Sequence, residues 1–96
     1  MADLLSEQQI ADVLAKVPQW EQEGSALRRT VELANFPQAI QVVNRVAEIA
    51  ESVNHHPDID IRWRTLTFRL STHSDGGITE KDFSLAEQID AVIDAL

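Results

Sequence analysis

Ile10, Val13, Leu14 and Val17 recur at the spacing of one helix face, and Pro18 stops the run. Ser6 and Gln9 have the spacing of a capping box just ahead of it, and Leu5 is placed to staple onto Ile10. Trp20 to Glu23 and Leu27 to Leu33 then flank Glu23-Gly24-Ser25, which reads as a hairpin turn. Leu27, Val31 and Leu33 share one parity, with Arg28, Thr30 and Glu32 on the other, as expected of a half-buried strand. Asn35 caps a second helix with Pro37 in its first turn. Its apolar stripe runs through Phe36, Ile40, Val43, Val46, Ala47, Ala50 and Val53. Pro57 biases His56 away from helical angles, so this helix ends near Asn54.

Two further alternating runs follow. Ile59, Ile61 and Trp63 make one apolar face, and Leu66, Phe68 and Leu70 another. The parity switch between Trp63 and Leu66 predicts a tight turn at Arg64-Thr65. Ser74-Asp75-Gly76-Gly77 is a loop, and Thr79 and Asp82 have the spacing of a second capping box. Leu85, Ala86, Ile89, Val92, Ile93 and Leu96 form the stripe of a last helix. The order α-β-β-α-β-β-α predicts an α+β fold: a four-stranded antiparallel sheet with three helices packed on one face.

Composition narrows the use of such a fold. The 96 residues suit a single domain over 1–96, and 44 % apolar residues suit a packed core. Sixteen acidic against eight basic residues, a net charge of −8, argue against nucleic-acid and anionic membrane partners. No cysteine is present, which excludes disulfides and thiolate chemistry. The stretch Met1 to Glu7 lacks the basic flank and apolar run of a signal peptide, and no run reaches membrane-spanning length. A cytoplasmic location is the expectation.

The candidate chemistry lies with the three histidines. Imidazole titrates near neutrality and is the usual side chain for giving and taking protons. His55 and His56 fall where the second helix yields to Pro57, and His73 ends Ser71-Thr72-His73 beyond the last strand. A hairpin turning at Arg64-Thr65 places Ile59 beside Leu70 or Ser71, which brings His73 to the His55-His56-Pro57 turn. Glu51, four residues before His55, can accept a ring N–H, and Asp82 can reach the cluster from the last helix. Taken singly each residue has a plainer reading: histidines at a helix end, a capping carboxylate, a solvated Glu51, tryptophans that pack. Their convergence favours acid–base work. A three-histidine metal site is disfavoured, because adjacent histidines diverge and no H-x-x-x-H or H-x-H spacing is present.

These residues resemble the pterin-4a-carbinolamine dehydratase family. The pattern reads Glu51, three residues, His55-His56-Pro57, five residues, Trp63, nine residues, His73, eight residues, Asp82. The runs Leu70 to His73 and Gly76 to Thr79 also look like the family's, and the anchored segment covers about a third of the chain. The resemblance implies a 4a-hydroxytetrahydrobiopterin dehydratase. It removes water from the carbinolamine left by a pterin-dependent aromatic amino-acid hydroxylase and serves tetrahydrobiopterin recycling, with no cofactor and no metal. It assigns acid–base roles to His55, His56 and His73. Glu51, Asn54, Pro57, Ser71, Thr72 and Asp82 become supporting or substrate-binding residues, with Trp20 lining the pocket. It further implies a homodimer or homotetramer, with the hydroxylase as a metabolic partner. One departure stands out: Asn54 replaces an Asp common in relatives, which keeps hydrogen bonding but loses a charge. The alternative is a non-catalytic pterin-binding or protein-interaction module, a dimerisation cofactor on the same fold.

Overall fold

The computed structural model describes residues 3–96. Met1 and Ala2, the start of the segment read for a signal peptide, lie outside the described residues. The elements are α1 Glu7–Lys16, β1 Glu21–Glu23, β2 Ala26–Glu32, α2 Phe36–Val53, β3 Asp58–Arg62, β4 Thr65–Leu70 and α3 Glu80–Asp94, with a 3-10 turn at His73–Asp75. The sheet order is β1-β2-β4-β3, and every pair is antiparallel. No helix among the described residues is long and apolar enough to cross a membrane.

Local chemistry sets the helix starts. Ser6 and Gln9 close the expected capping box on α1, and Asn35 accepts from the Gln38 N–H at 2.8 Å on α2. Leu27, Leu66, Phe68 and Leu70 from the sheet meet Ala39, Val42 and Val46 of α2 and Leu85, Ala86 and Ile89 of α3 in one core. Burying each large side chain contributes roughly 1.5–3 kcal/mol.

Three details depart from the sequence reading. First, the face α2 buries is Ala39, Val42, Val46 and Ala50. Of the expected stripe, Phe36, Ala47 and Val53 are exposed, and Ile40 and Val43 are half-buried. The helix carries two neighbouring apolar flanks, and the one with Ala39, Val42, Val46 and Ala50 meets the core.

Second, the β3–β4 turn is Trp63-Arg64, because Arg62 pairs with Thr65. Trp63 takes a left-handed φ of 54° and is 70 % exposed instead of facing the core. Such a φ is costly for a bulky residue. Arg64 holds it in place. The guanidinium stacks 4.7 Å from the Trp63 ring centre, and Nη1 donates to the carbonyls of Leu33 and Ala34.

Third, Arg29 shares the inward parity of Leu27 and is only 9 % exposed. A buried guanidinium needs a counter-charge. Asp90 of α3 supplies it through Oδ1, which also accepts from Trp20 Nε1 at 2.8 Å. The cluster ties β2, α3 and the segment before β1 together.

The shifted turn changes the register. Asp58 pairs with Arg69 and Ile59 with Phe68, not with Leu70 or Ser71. Beyond the strand ends Thr72 bridges to Gly77, and the side chains of Thr72 and His55 both reach Asp82.

Candidate functional site

The site begins at the end of α2. Asn54 adopts the left-handed conformation with φ 51°, and its N–H and that of His55 return to the carbonyls of the last turn. Asn, like Asp, tolerates this conformation better than most residues, so the backbone at position 54 suits either. The helix therefore stops before it can carry His55 onto Glu51. The turn swings His55 inward, to 11 % side-chain exposure, and brings His56 over Glu51 instead. His56 Nε2 lies 2.9 Å from Glu51 Oε1, both side chains being exposed. Glu51 thus meets an imidazole, but that of His56.

His55 Nε2 is 2.6 Å from Oδ1 of Asp82, a fully buried carboxylate in the first turn of α3. Asp82 Oδ2 accepts from the Thr72 hydroxyl and from the Thr79 N–H, each at 2.9 Å. The carboxylate is both the cap of α3 and the partner of His55, so its two expected readings coexist. A carboxylate only accepts, so Nε2 of His55 carries the hydrogen in this pair. In the neutral form of that ring the lone pair lies on Nδ1, which makes no hydrogen bond among the described residues.

The β4 end is held just as firmly. Ser71 Oγ donates to the Ser25 carbonyl at 2.8 Å, which turns that hydroxyl toward the β1–β2 turn. The Thr72 N–H bonds the Gly77 carbonyl at 2.8 Å, and the N–H groups of Asp75 and Gly76 return to the Thr72 carbonyl. Gly76 takes φ 79° to close this loop, where a side chain would be strained. His73 is the exposed first residue of the loop, one peptide beyond Thr72. Pro57 is half-buried and precedes β3 directly.

A cleft of about 320 Å³ opens beside His55 between the end of α2 and the first half of α3, with Val53, Glu80, Lys81, Ser84, Leu85 and Gln88 on its walls. Trp20 is not among them. It is 4 % exposed within the core and offers no ring face in the single chain, and Trp63 lies at the far end of the β3–β4 hairpin. The structure therefore brings His55, Asp82 and Thr72 into direct contact, pairs His56 with Glu51, and leaves both tryptophans elsewhere. Sequence reasoning missed Thr79 as a partner of this cluster, although the capping-box spacing that named it put its N–H on Asp82.

Comparison with known proteins identifies the family and the fold. A family model described as pterin 4 alpha carbinolamine dehydratase matches residues 3–92. A Nocardia farcinica protein provisionally named pterin-4-alpha-carbinolamine dehydratase is 58 % identical over 92 % of this chain and 93 % of its own. One from Mycobacteroides abscessus with the same provisional name is 60 % identical over 94 % and 96 %. Among solved structures, a transcriptional coactivator/pterin dehydratase from Brucella melitensis superposes with a TM-score of 0.91 at 26 % identity, covering 94 % of this chain and 98 % of that one. A pterin dehydratase-like protein identified as a RuBisCO assembly factor in the alpha-carboxysome shares the fold alone, with a TM-score of 0.63 at 18 % identity over 76 % and 84 %.

Proposed function

The chain belongs to the pterin 4 alpha carbinolamine dehydratase family, and from that premise we propose that it removes water from 4a-hydroxytetrahydrobiopterin by histidine acid–base catalysis. The product is the quinonoid dihydropterin, so the reaction returns a spent hydroxylase cofactor toward its reduced form. The observation that carries the proposal is the part-buried His55–Asp82 pair at 2.6 Å, open to a cleft on one side.

The chemistry needs one proton given and one taken. Hydroxide is a poor leaving group, so an imidazolium protonates the 4a-oxygen as its C–O bond breaks and water departs. The electron pair of a ring nitrogen forms the new C=N bond, and that ring system sheds an N–H proton to a neutral imidazole. No net proton is consumed. His55 suits the accepting role, because Asp82 holds its Nε2–H and leaves Nδ1 as the basic atom. The exposed His73 suits the donating role, and Glu51 holds His56 at the rim. The enzyme would work in the cytoplasm on a substrate supplied by an aromatic amino-acid hydroxylase.

His73→Ala should keep the fold, because the side chain is exposed, while kcat for carbinolamine consumption falls roughly 100-fold. Unchanged turnover in that variant would remove His73 from the mechanism. A homodimer or homotetramer is also proposed, supported by the exposed Phe36 and Ala47, which lie on one flank of α2 with the half-buried Ile40 and Val43. Light scattering at micromolar concentration should give a mass of two or four chains, and a monomer would refute it. The non-catalytic alternative is separated by the same enzyme assay, since it predicts pterin binding without turnover.

A further inference from the structure

Thr79 is fully buried, and its hydroxyl lies 2.7 Å from that of Thr72. Counting hydrogens fixes the direction of this contact. Thr72 Oγ1 also lies 2.9 Å from Asp82 Oδ2, an atom that only accepts, so the single hydroxyl hydrogen of Thr72 is used there. The contact between the two threonines therefore needs the hydrogen of Thr79. The Lys81 N–H, 3.2 Å from Thr79 Oγ1, engages a lone pair of that oxygen and agrees with this orientation. The result is a one-way chain. It runs from the Lys81 N–H to the Thr79 hydroxyl, on to the Thr72 hydroxyl, and ends on Asp82 Oδ2. Oδ1 is left to His55.

We infer that Thr79 is a positioning residue for His55, acting through Thr72 and Asp82. Hydrogen bonds in such a buried chain polarise one another. With Thr79 in place, Thr72 has a fixed role as donor and Asp82 is held at both oxygens. Without the Thr79 hydroxyl, the oxygen of Thr72 loses its donor, so the bond Thr72 gives to Asp82 Oδ2 is no longer polarised and weakens. The carboxylate then holds the imidazole less firmly. A plain capping role would need only the Lys81 contact, and the link to Thr72 goes beyond it. The kinetic consequence rests on the dehydratase reading, whereas the ordering of the His55 ring does not.

Thr79→Val is nearly isosteric and deletes the hydroxyl while keeping the backbone N–H to Asp82. It should lower kcat about three- to tenfold, the worth of one buried hydrogen bond, with KM within about twofold. Thr79→Ser should restore the wild-type rate. In a His55→Ala background Thr79→Val should cost nothing further, because its effect passes through His55. An unchanged kcat, or an equal loss with and without His55, overturns the inference. A second measurement needs no turnover. The ring N–H proton of His55 should give a resolved downfield resonance in the wild type and in Thr79→Ser, and a broadened one in Thr79→Val. An equally sharp signal in Thr79→Val overturns the positioning role even in an inactive protein, and an inactive wild type with the expected spectra refutes only the dehydratase reading. Should Thr79→Val not fold, Thr72→Val breaks the same chain one step nearer Asp82 and is judged by the same spectra.

Discussion

Asp82→Asn should leave the domain folded and remove most of its turnover. Two donors, the Thr72 hydroxyl and the Thr79 N–H, converge on one oxygen of residue 82. An asparagine must turn its only oxygen to them, since its NH2 group cannot face a backbone N–H. The NH2 then faces His55 Nε2 and donates to it. That nitrogen must accept, so the ring proton moves to Nδ1, the atom proposed to act as base. A base with the wrong tautomer is typically slower by roughly 10³–10⁴-fold. The cost in stability should stay near 1 kcal/mol, because each polar group keeps a partner. Steady-state kinetics with urea unfolding of the same preparation checks both halves. Near-normal kcat in a folded Asp82→Asn variant would show that Asp82 serves the helix cap and not the histidine.

Asp82→Ala should instead damage the fold. Truncation strands the Thr79 N–H, the Thr72 hydroxyl and the His55 ring N–H in a region where Thr72, Thr79 and Asp82 are all buried. A buried donor without an acceptor costs about 1–3 kcal/mol, and the reciprocal cap of α3 is lost with it. Partial relaxation of three such groups leaves a net loss of about 3–5 kcal/mol. That is a large part of the 5–15 kcal/mol typical of a domain. The expected drop in Tm is about 15–30 °C, read by circular dichroism and urea titration. A loss below about 1 kcal/mol would mean that water reaches these groups freely. The contrast between the two variants is informative in itself, because one separates catalysis from stability and the other joins them.

The helix caps, the alternating strands and the two hairpins were legible because each depends on residues a few positions apart. Ser6 with Gln9 and Thr79 with Asp82 are local pairs, and the structure realises both. The departures came from tertiary contacts. Neither Trp63 nor Arg64 is a turn former, and what fixes them there is the reach of Arg64 to Leu33 and Ala34 in the chain before α2. The inward Arg29 was invisible until Asp90 supplied a charge from another element. The partners of the two histidines changed because the left-handed Asn54 rotates the chain by an amount that helix periodicity does not contain. Asp82 was legible as a cap and as a reach toward the cluster, but its simultaneous hold on Thr72 and His55 required the packed α3. The family resemblance implies a pocket role for Trp20, whereas its own plainer reading, a packing tryptophan, is what the structure shows, with the indole N–H spent on Asp90.

Dehydratase activity is read by following the transient carbinolamine absorbance during phenylalanine hydroxylase turnover with the purified protein added. The signal should decay faster in proportion to protein concentration, and Asp82→Asn should abolish the acceleration. Decay at the spontaneous rate, at every concentration of folded wild-type protein, would contradict the dehydratase reading.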